Sequence, residues 1–477
     1  MIEKIVRKLF TGVMLLAILA SCTPKTPAPT QQPVVPATSI PTSVAPVDTT
    51  APVDTAAPVG THAPVSMTPI KVMMTWPDYP EMIQNFFKGY TAETGIPLEV
   101  TSAVTQDKIV AALSSNDAPD LLVLGDIWSV GMFASEGLVT PLDDQIAQNK
   151  IDTTDMYPGP LGECSYNGKY YCLPWGTDDY ALYWNKAMFE AAGLDPNKPP
   201  ETMEQMLEYA DKLTKTDAQG NLTQVGFIPD FPWAHTELYL AMYGSTYQSA
   251  DGTKVQMDTP EMNAVMKWQQ EFYTRYGADK VSRFLSSAGN YLGADSGFYT
   301  NKIAMVVDGE WQTGPEYLQK YRPDMDYGIA PMPYPAAHPE NKNTVVLWGT
   351  VAEIPTNAAN KDGAAKLLAW MELPKNQADM MIQLPNLPSS HAAGNDPRFQ
   401  QNPDLKLFID MENSGKAQPV YVGPITYDVL IALYTMQEKI TLGGQDPKPL
   451  LADAQSTIQT KLDGILSGNP PSPTATP

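Results

Sequence analysis

The chain reads as an α/β protein in which short apolar strands alternate with amphipathic helices over residues 69–467. Three observations predict this. Strand-like and helix-like patterns succeed one another along the segment. The run Pro119-Asp120-Leu121-Leu122-Val123-Leu124 is short, apolar and bounded by turn residues, as a strand covered on both faces should be. The length of 477 residues, 43% of them hydrophobic, is enough for two or more compact units. Such a rhythm predicts a mostly parallel sheet with helices on both faces, and ligands at the carboxyl ends of its strands.

Taken in order, Ile70 to Met74 is the first strand, followed by the turn-rich Trp76-Pro77-Asp78-Tyr79-Pro80. Glu81 to Thr94 is a helix, with Ile83, Phe86, Phe87 and Tyr90 on one face, and Thr94-Gly95-Ile96-Pro97 ends it. Leu98 to Val100 is a strand, Lys108 to Ser114 a helix, and Pro119 to Leu124 the next strand. Asn167-Gly168 marks a two-residue hairpin. Further helices are expected over Thr202–Leu213, Met262–Tyr276, Ala364–Met371, Asp428–Ile440 and Leu450–Leu466, with a short strand at Ile303–Val307. No dinucleotide fingerprint, phosphate-binding loop, nucleophile elbow or EF-hand loop occurs in the sequence.

Charge narrows the function classes. The net charge of −22 is poor material for binding nucleic acid or an anionic lipid surface. Four His and three Cys, none spaced as a ligand pair, offer little to a transition metal. No metal and no cofactor are expected.

Residues 1–21 carry Lys4, Arg7 and Lys8 ahead of an apolar stretch too short to span a bilayer, which is the pattern of an export signal. The segment ends Leu19-Ala20-Ser21-Cys22, which looks like a bacterial lipobox, implying lipidation of Cys22; an ordinary signal with a chance Cys is the alternative. Residues 22–68 form a Pro-, Thr- and Ala-rich tether with Ala-Pro-Val recurring at 45, 51, 57 and 63. Lacking large side chains, the tether cannot offset its ordering entropy and is expected to stay unfolded, reaching on the order of 140 Å if extended. The tail 468–477 has similar composition. In an exported chain Cys164 and Cys172, which flank the Asn167-Gly168 turn, are expected to form a disulfide; two reduced core cysteines are the other reading.

Six segments in order resemble the extracellular solute-binding proteins of bacterial ABC importers, in the maltose-binding-like family 1 group. They are Thr94-Gly95-Ile96, Ala118-Pro119-Asp120, the hairpin Asn167 to Pro174, the run Leu182-Tyr183-Trp184-Asn185-Lys186 through Pro196, Phe298 to Trp311, and Ile354-Pro355 with Ala364-Ala365. Two positions depart from the pattern: Asn301 stands where the family has Gly, and Trp184 where it has Tyr. Asn tolerates positive φ, so the first change can keep the turn.

The resemblance implies a type II, two-lobe periplasmic-binding-protein fold with three hinge crossings, near Gly176, Trp348–Val351 and Met411–Gly415. The N-terminal lobe is then 69–177 with 350–410, and the C-terminal lobe 178–349 with 411–467. It implies a monomer that captures a sugar, delivers it to the transmembrane subunits of a permease, and meets the membrane only through its lipid. A sugar cleft needs carboxylates or amides for hydroxyls and aromatic rings for C–H faces. Trp311 matches the Trp of the family's G-x-W element, and Asp178 the position of a sugar-binding carboxylate, with Asp179 beside it as the alternative. The other candidates are Glu310, Trp76 and Asp78 in the first strand-to-helix loop, Asp126 and Trp128 after the Pro119–Leu124 strand, and Trp233, Trp348 and Tyr427. A polyamine ligand on the same fold, or a secreted carbohydrate-active enzyme, stays open.

Overall fold

The computed structural model describes residues 68–76, 80–115, 117–125, 127–232, 236–418 and 421–468. The export segment, Cys22, nearly all of the tether, Asp78, Asp126, Trp233 and the tail beyond Gly468 lie outside the described residues.

The sheet begins as the alternation predicts. Strand β1 (Ile70–Met74) leads to helix α1 (Pro80–Thr94), β2 (Leu98–Thr101), helix α2 (Gln106–Leu113) and β3 (Leu121–Leu124). β1 lies between β2 and β3 and is parallel to both. β3 is buried at all four positions, which fits its unbroken apolar run.

Beyond β3 the mostly parallel expectation gives way. Strand β4 (Cys172–Asn185) is fourteen residues long, and its partners β5 (Met305–Gly309), β6 (Tyr327–Pro331) and β7 (Val345–Glu353) are all antiparallel to it. The first half of β4 pairs with β7 and with Leu387–Pro388; the second half pairs with β5 and β6. β7 in turn pairs with β3. Side-chain patterning gives element type but not strand direction, because a strand buried on both faces reads the same either way. Pro174 sits inside β4, where it supplies no ladder N–H; the register with β7 shifts at that point, between Thr350 and Val351.

Helix starts follow their capping residues. Thr202 caps Met203–Leu213 by accepting from Gln205 N, Thr259 caps Pro260–Tyr276 through Met262 N, and Asn360 caps Lys361–Met371 through Gly363 N. Asn301 has φ 59°, so the departure from Gly keeps the left-handed turn. Trp184 donates its indole N–H to Pro196 O at 2.8 Å, so that departure is absorbed in packing. The turn at Asn167 (φ 49°) and Gly168 (φ 74°) joins Ser165–Tyr166 to Lys169–Tyr170, and Cys164 and Cys172 are disulfide-bonded at its base. Among the described residues, no helix is long and apolar enough to cross a membrane.

Helix α3 (Trp128–Ser135) packs on the turn before the helix Thr426–Thr441 through Gly131 and Gly423. A Cβ at Gly131 would stand 2.5 Å from the backbone of Gly423. Two buried glutamates also sit in this core. Among the described residues, no other residue hydrogen-bonds a carboxyl oxygen of Glu237, in the helix Thr236–Met242, or of Glu353, at the end of β7. Burial pushes each up to about 8.

Two outcomes are expected. Gly131→Ala gains about 1 kcal/mol of helix propensity, but forcing a methyl against backbone costs about 1–3 kcal/mol. The contact is with backbone that cannot swing aside, so a lower thermal midpoint is predicted, and an unchanged one contradicts the packing described. Glu237 and Glu353 are held protonated in the fold but ionise in the unfolded chain. Their stabilising share is therefore complete below about pH 4.5 and lost as pH rises through about 8. Chemical denaturation should show stability falling across that window, with a shallower fall in Glu353→Gln.

Candidate ligand-binding site

A cavity of about 680 Å³ opens where β4 and β7 run side by side. In that pairing Trp348 stands opposite Asp178, Gly349 opposite Thr177, and Leu347 opposite Asp179. Opposed residues share a face and neighbours alternate. Asp178, Tyr180, Trp348 and Thr350 therefore fall on the cavity face and line it, while Asp179 and Thr177 turn to the other side and are fully buried. Strand alternation thus places Asp178, not Asp179, at the cavity.

Trp311 is held by its own local sequence. It follows β5 in the short turn of 3₁₀-helix Glu310–Thr313, and its ring folds back over Gly309. A Cβ there would fall 2.0 Å from the indole, so only Gly fits beneath it. Trp311 Nε1 donates to Tyr291 Oη at 2.7 Å, and Tyr291 Oη donates to Asp308 Oδ1 at 2.7 Å. Tyr180 packs edge-on against the Trp311 ring, with centroids 5.7 Å apart. The indole is therefore fixed in orientation with a face left toward the cavity.

The other walls are also aromatic. Trp76, leaving β1, stacks on the buried Trp175 of β4 at 5.4 Å and 23°. Trp128, opening α3, packs on Tyr427 at 4.7 Å. Tyr427, Leu430, Ile431 and Tyr434 line one side from a single helix at i, i+3, i+4 and i+7. Tyr317, Leu238, Leu292 and Leu384 complete the apolar surface, and Thr75, Gln106 and Asn386 add neutral polar groups. Among the described lining residues Asp178 is the acid, and none is Lys, Arg or His.

Asp178 is open to the cavity but otherwise packed in protein, and this burial pushes its carboxyl up to about 7. Asn386 Nδ2 donates to Asp178 Oδ1 and, at 3.2 Å, to Glu310 Oε1. Glu310 is fully buried one layer behind the wall, where its Oε2 accepts the Asp179 N–H at 3.0 Å. Burial and then the Asp178 charge raise Glu310 well above the usual carboxylate range. On the far face of β4, Asp179 meets Glu412 of the helix Pro403–Glu412, and burial is again the largest cause of the upward shift in both.

Of the residues singled out in the sequence, Trp76, Trp128, Asp178, Trp311, Trp348 and Tyr427 are brought together around one cavity. Glu310 departs from the expectation that it reaches a ligand hydroxyl, because it serves the backbone of Asp179 and the amide of Asn386 instead. Asp78, Asp126 and Trp233 are outside the described residues. Sequence reasoning passed over Tyr180, Tyr291, Asn386, Leu430, Ile431 and Tyr434. The helical spacing after Tyr427 could have found the last three; nothing local marks Asn386, which arrives from a turn more than 200 residues from Asp178.

Comparison with known proteins agrees with this architecture. An sn-glycerol-3-phosphate-binding periplasmic protein of Brucella abortus is 27% identical over 247 residues, covering 49% of this chain. That match spans 53% of the relative, so the chain aligns with about half the length of this curated relative. A maltotriose-binding protein of Pyrococcus abyssi is 23% identical over 310 residues, covering 64% of this chain and 62% of the relative. The structure of CpMnBP1 with mannobiose bound superposes with a TM-score of 0.74 at 22% identity, covering 82% of this chain and 99% of that one. The fold is the maltose-binding-like, type II periplasmic-binding-protein fold. Residues 85–407 match the bacterial extracellular solute-binding protein family, and the chain belongs to that family.

Proposed function

We propose that the chain captures a neutral mono- or oligosaccharide outside the cytoplasm and delivers it to the transmembrane subunits of an ABC importer. The observation that carries this reading is a cavity walled by indole and phenol rings, with one acid and a few amides and hydroxyls and no cation among its described lining residues. Aromatic faces suit the C–H faces of a sugar ring, and Asp178, Asn386 and Gln106 suit its hydroxyls. A relative binds glycerol 3-phosphate, but a phosphate would meet no Lys, Arg or His among these lining residues and one carboxyl. Mannobiose and maltotriose, bound by other relatives, are neutral and match the cavity chemistry better.

In this reading Trp311 and Trp348 stack on the sugar and Asp178 accepts from its hydroxyls, with Trp76, Trp128 and Tyr427 as the opposite wall. Asp78, Asp126 and Trp233, candidates from the sequence, are counted as further ligand contacts. The lobes 69–177 with 350–410 and 178–349 with 411–467 close on the ligand, because closure lets both touch it. Cys22 carries the lipid that holds a monomeric receptor at the outer face of the membrane, or in the periplasm if the cell has two. Capture involves no chemistry; turnover comes from the partner ATPase.

A thermal-shift screen of the full chain against neutral saccharides, including mannobiose and maltotriose, tests this. A ligand at 100 times its Kd stabilises the fold by about 2.7 kcal/mol, and at least one saccharide is expected to raise the melting temperature. Trp311→Ala and Asp178→Ala should each weaken that ligand about tenfold or more, roughly 1.4 kcal/mol. Variants that bind like the parent would place the ligand elsewhere.

A further inference from the structure

The acid at the cavity is not a lone carboxylate. The side-chain amide of Asn386 joins it to Glu310, donating to Asp178 Oδ1 and, at 3.2 Å, to Glu310 Oε1, so that the two carboxyls meet at one nitrogen. Ionised together, they would meet there as like charges. The donors to the pair include the side-chain amide of Asn386 and the peptide N–H of Asp179. Among the described residues, no cation balances it. The titratable groups that bear on it are Asp179, Tyr180 and Tyr183 of β4, and the groups that bear on those three in turn include Glu412, Asp308 and Glu237. Every one is an acid or a phenol, so each can only oppose a second negative charge. Two carboxyl groups this close, one fully buried and the other open only to the cavity, with no counter-charge among the described residues, do not both ionise.

We propose that Asp178 and Glu310 hold a single proton between them in the ligand-free protein at neutral pH, with Glu310 and Asn386 as the positioning residues that keep it there. The cavity then presents one negative charge rather than two. Its acid can both accept a hydrogen bond from a ligand hydroxyl and, through the shared proton, donate one. That suits a neutral polyhydroxylated ring, whose hydroxyls are donors and acceptors at once. A dicationic amine would call for both carboxyls ionised, which the shared proton opposes. The inference rests on the carbohydrate reading for its consequence and on Asp178, Glu310 and Asn386 for its substance.

Infrared spectroscopy of the full chain without ligand reads the proton directly, through the C=O band of protonated carboxyl groups at neutral pH. Asp178→Asn and Glu310→Gln are near-isosteric and remove one partner each. Glu237 and Glu353 add constant intensity to that band, so the reading is the difference between parent and variants. Each single variant is expected to keep the parent's intensity, because the carboxyl left behind still holds the proton, and the double variant to lose one carboxyl's worth, the mark of one proton held in common. A loss of two in the double variant, which would mean two independent protons, overturns the proposal, as does no loss in it, which would mean that the pair holds none. Should a single variant fail to fold, the double variant read against the parent still decides, and a parent with no protonated-carboxyl band overturns the proposal without any substitution. No sugar is present, so a failed saccharide screen would remove the carbohydrate reading and leave this result standing.

Discussion

Trp348 and Asp178 oppose each other on one rung of the antiparallel pairing between β4 and β7, and the rest of the cavity depends on that register. A slip of one residue would turn Asp179 and Leu347 to the cavity and bury Asp178 and Trp348 in their place. The slip is prevented by what the other face carries. Leu347 and Asp179 are fully buried there, and Asp179 N–H is bonded to Glu310. β4 also joins two groups of strands, with β7 beside its first half and β5 and β6 beside its second. Asp178 and Tyr180 sit where one set of partners hands over to the other. The element that connects the halves of the sheet is thus also the floor of the cavity.

Rigid aromatic walls follow from local contacts and need no ligand to set them. Trp311 is fixed by Gly309 beneath it, Tyr291 at its N–H and Tyr180 at its edge. Trp76 is backed by Trp175, and Trp128 by Tyr427. Each such aromatic contact is worth about 0.5–1.5 kcal/mol beyond its buried area, enough to hold a ring in place. A ligand entering such a site forfeits little to side-chain ordering. Charge then selects: walls without a described cation disfavour a phosphate ester far more than they disfavour a neutral ring.

Much of this was legible in the sequence, and the limits have physical causes. The strands at Ile70–Met74 and Leu121–Leu124 and the long helices were readable because each is buried on one face or throughout. Asn301 was readable because few residues besides Gly accept positive φ. The direction of β4 and its partners was not, since pairing over more than 100 residues leaves no local trace. The choice between Asp178 and Asp179 needed only the phase of one strand, and the register supplied it. Glu310, a sequence candidate for a ligand hydroxyl, is buried behind the wall, and that burial follows from β5 lying against β4, a pairing with no local trace. Asn386 could not be foreseen, since its role is defined by two carboxyls brought to it from elsewhere in the chain.

The central claim is that the aromatic cavity takes a neutral ring and rejects an anion. Tryptophan fluorescence tests it most directly, because Trp76, Trp128, Trp311 and Trp348 all line the cavity. Titrating the protein with neutral oligosaccharides, and in parallel with sn-glycerol 3-phosphate, should give a saturable change for at least one of the former and none for the phosphate ester. A saturable response to the phosphate ester with silence from every saccharide would contradict the account.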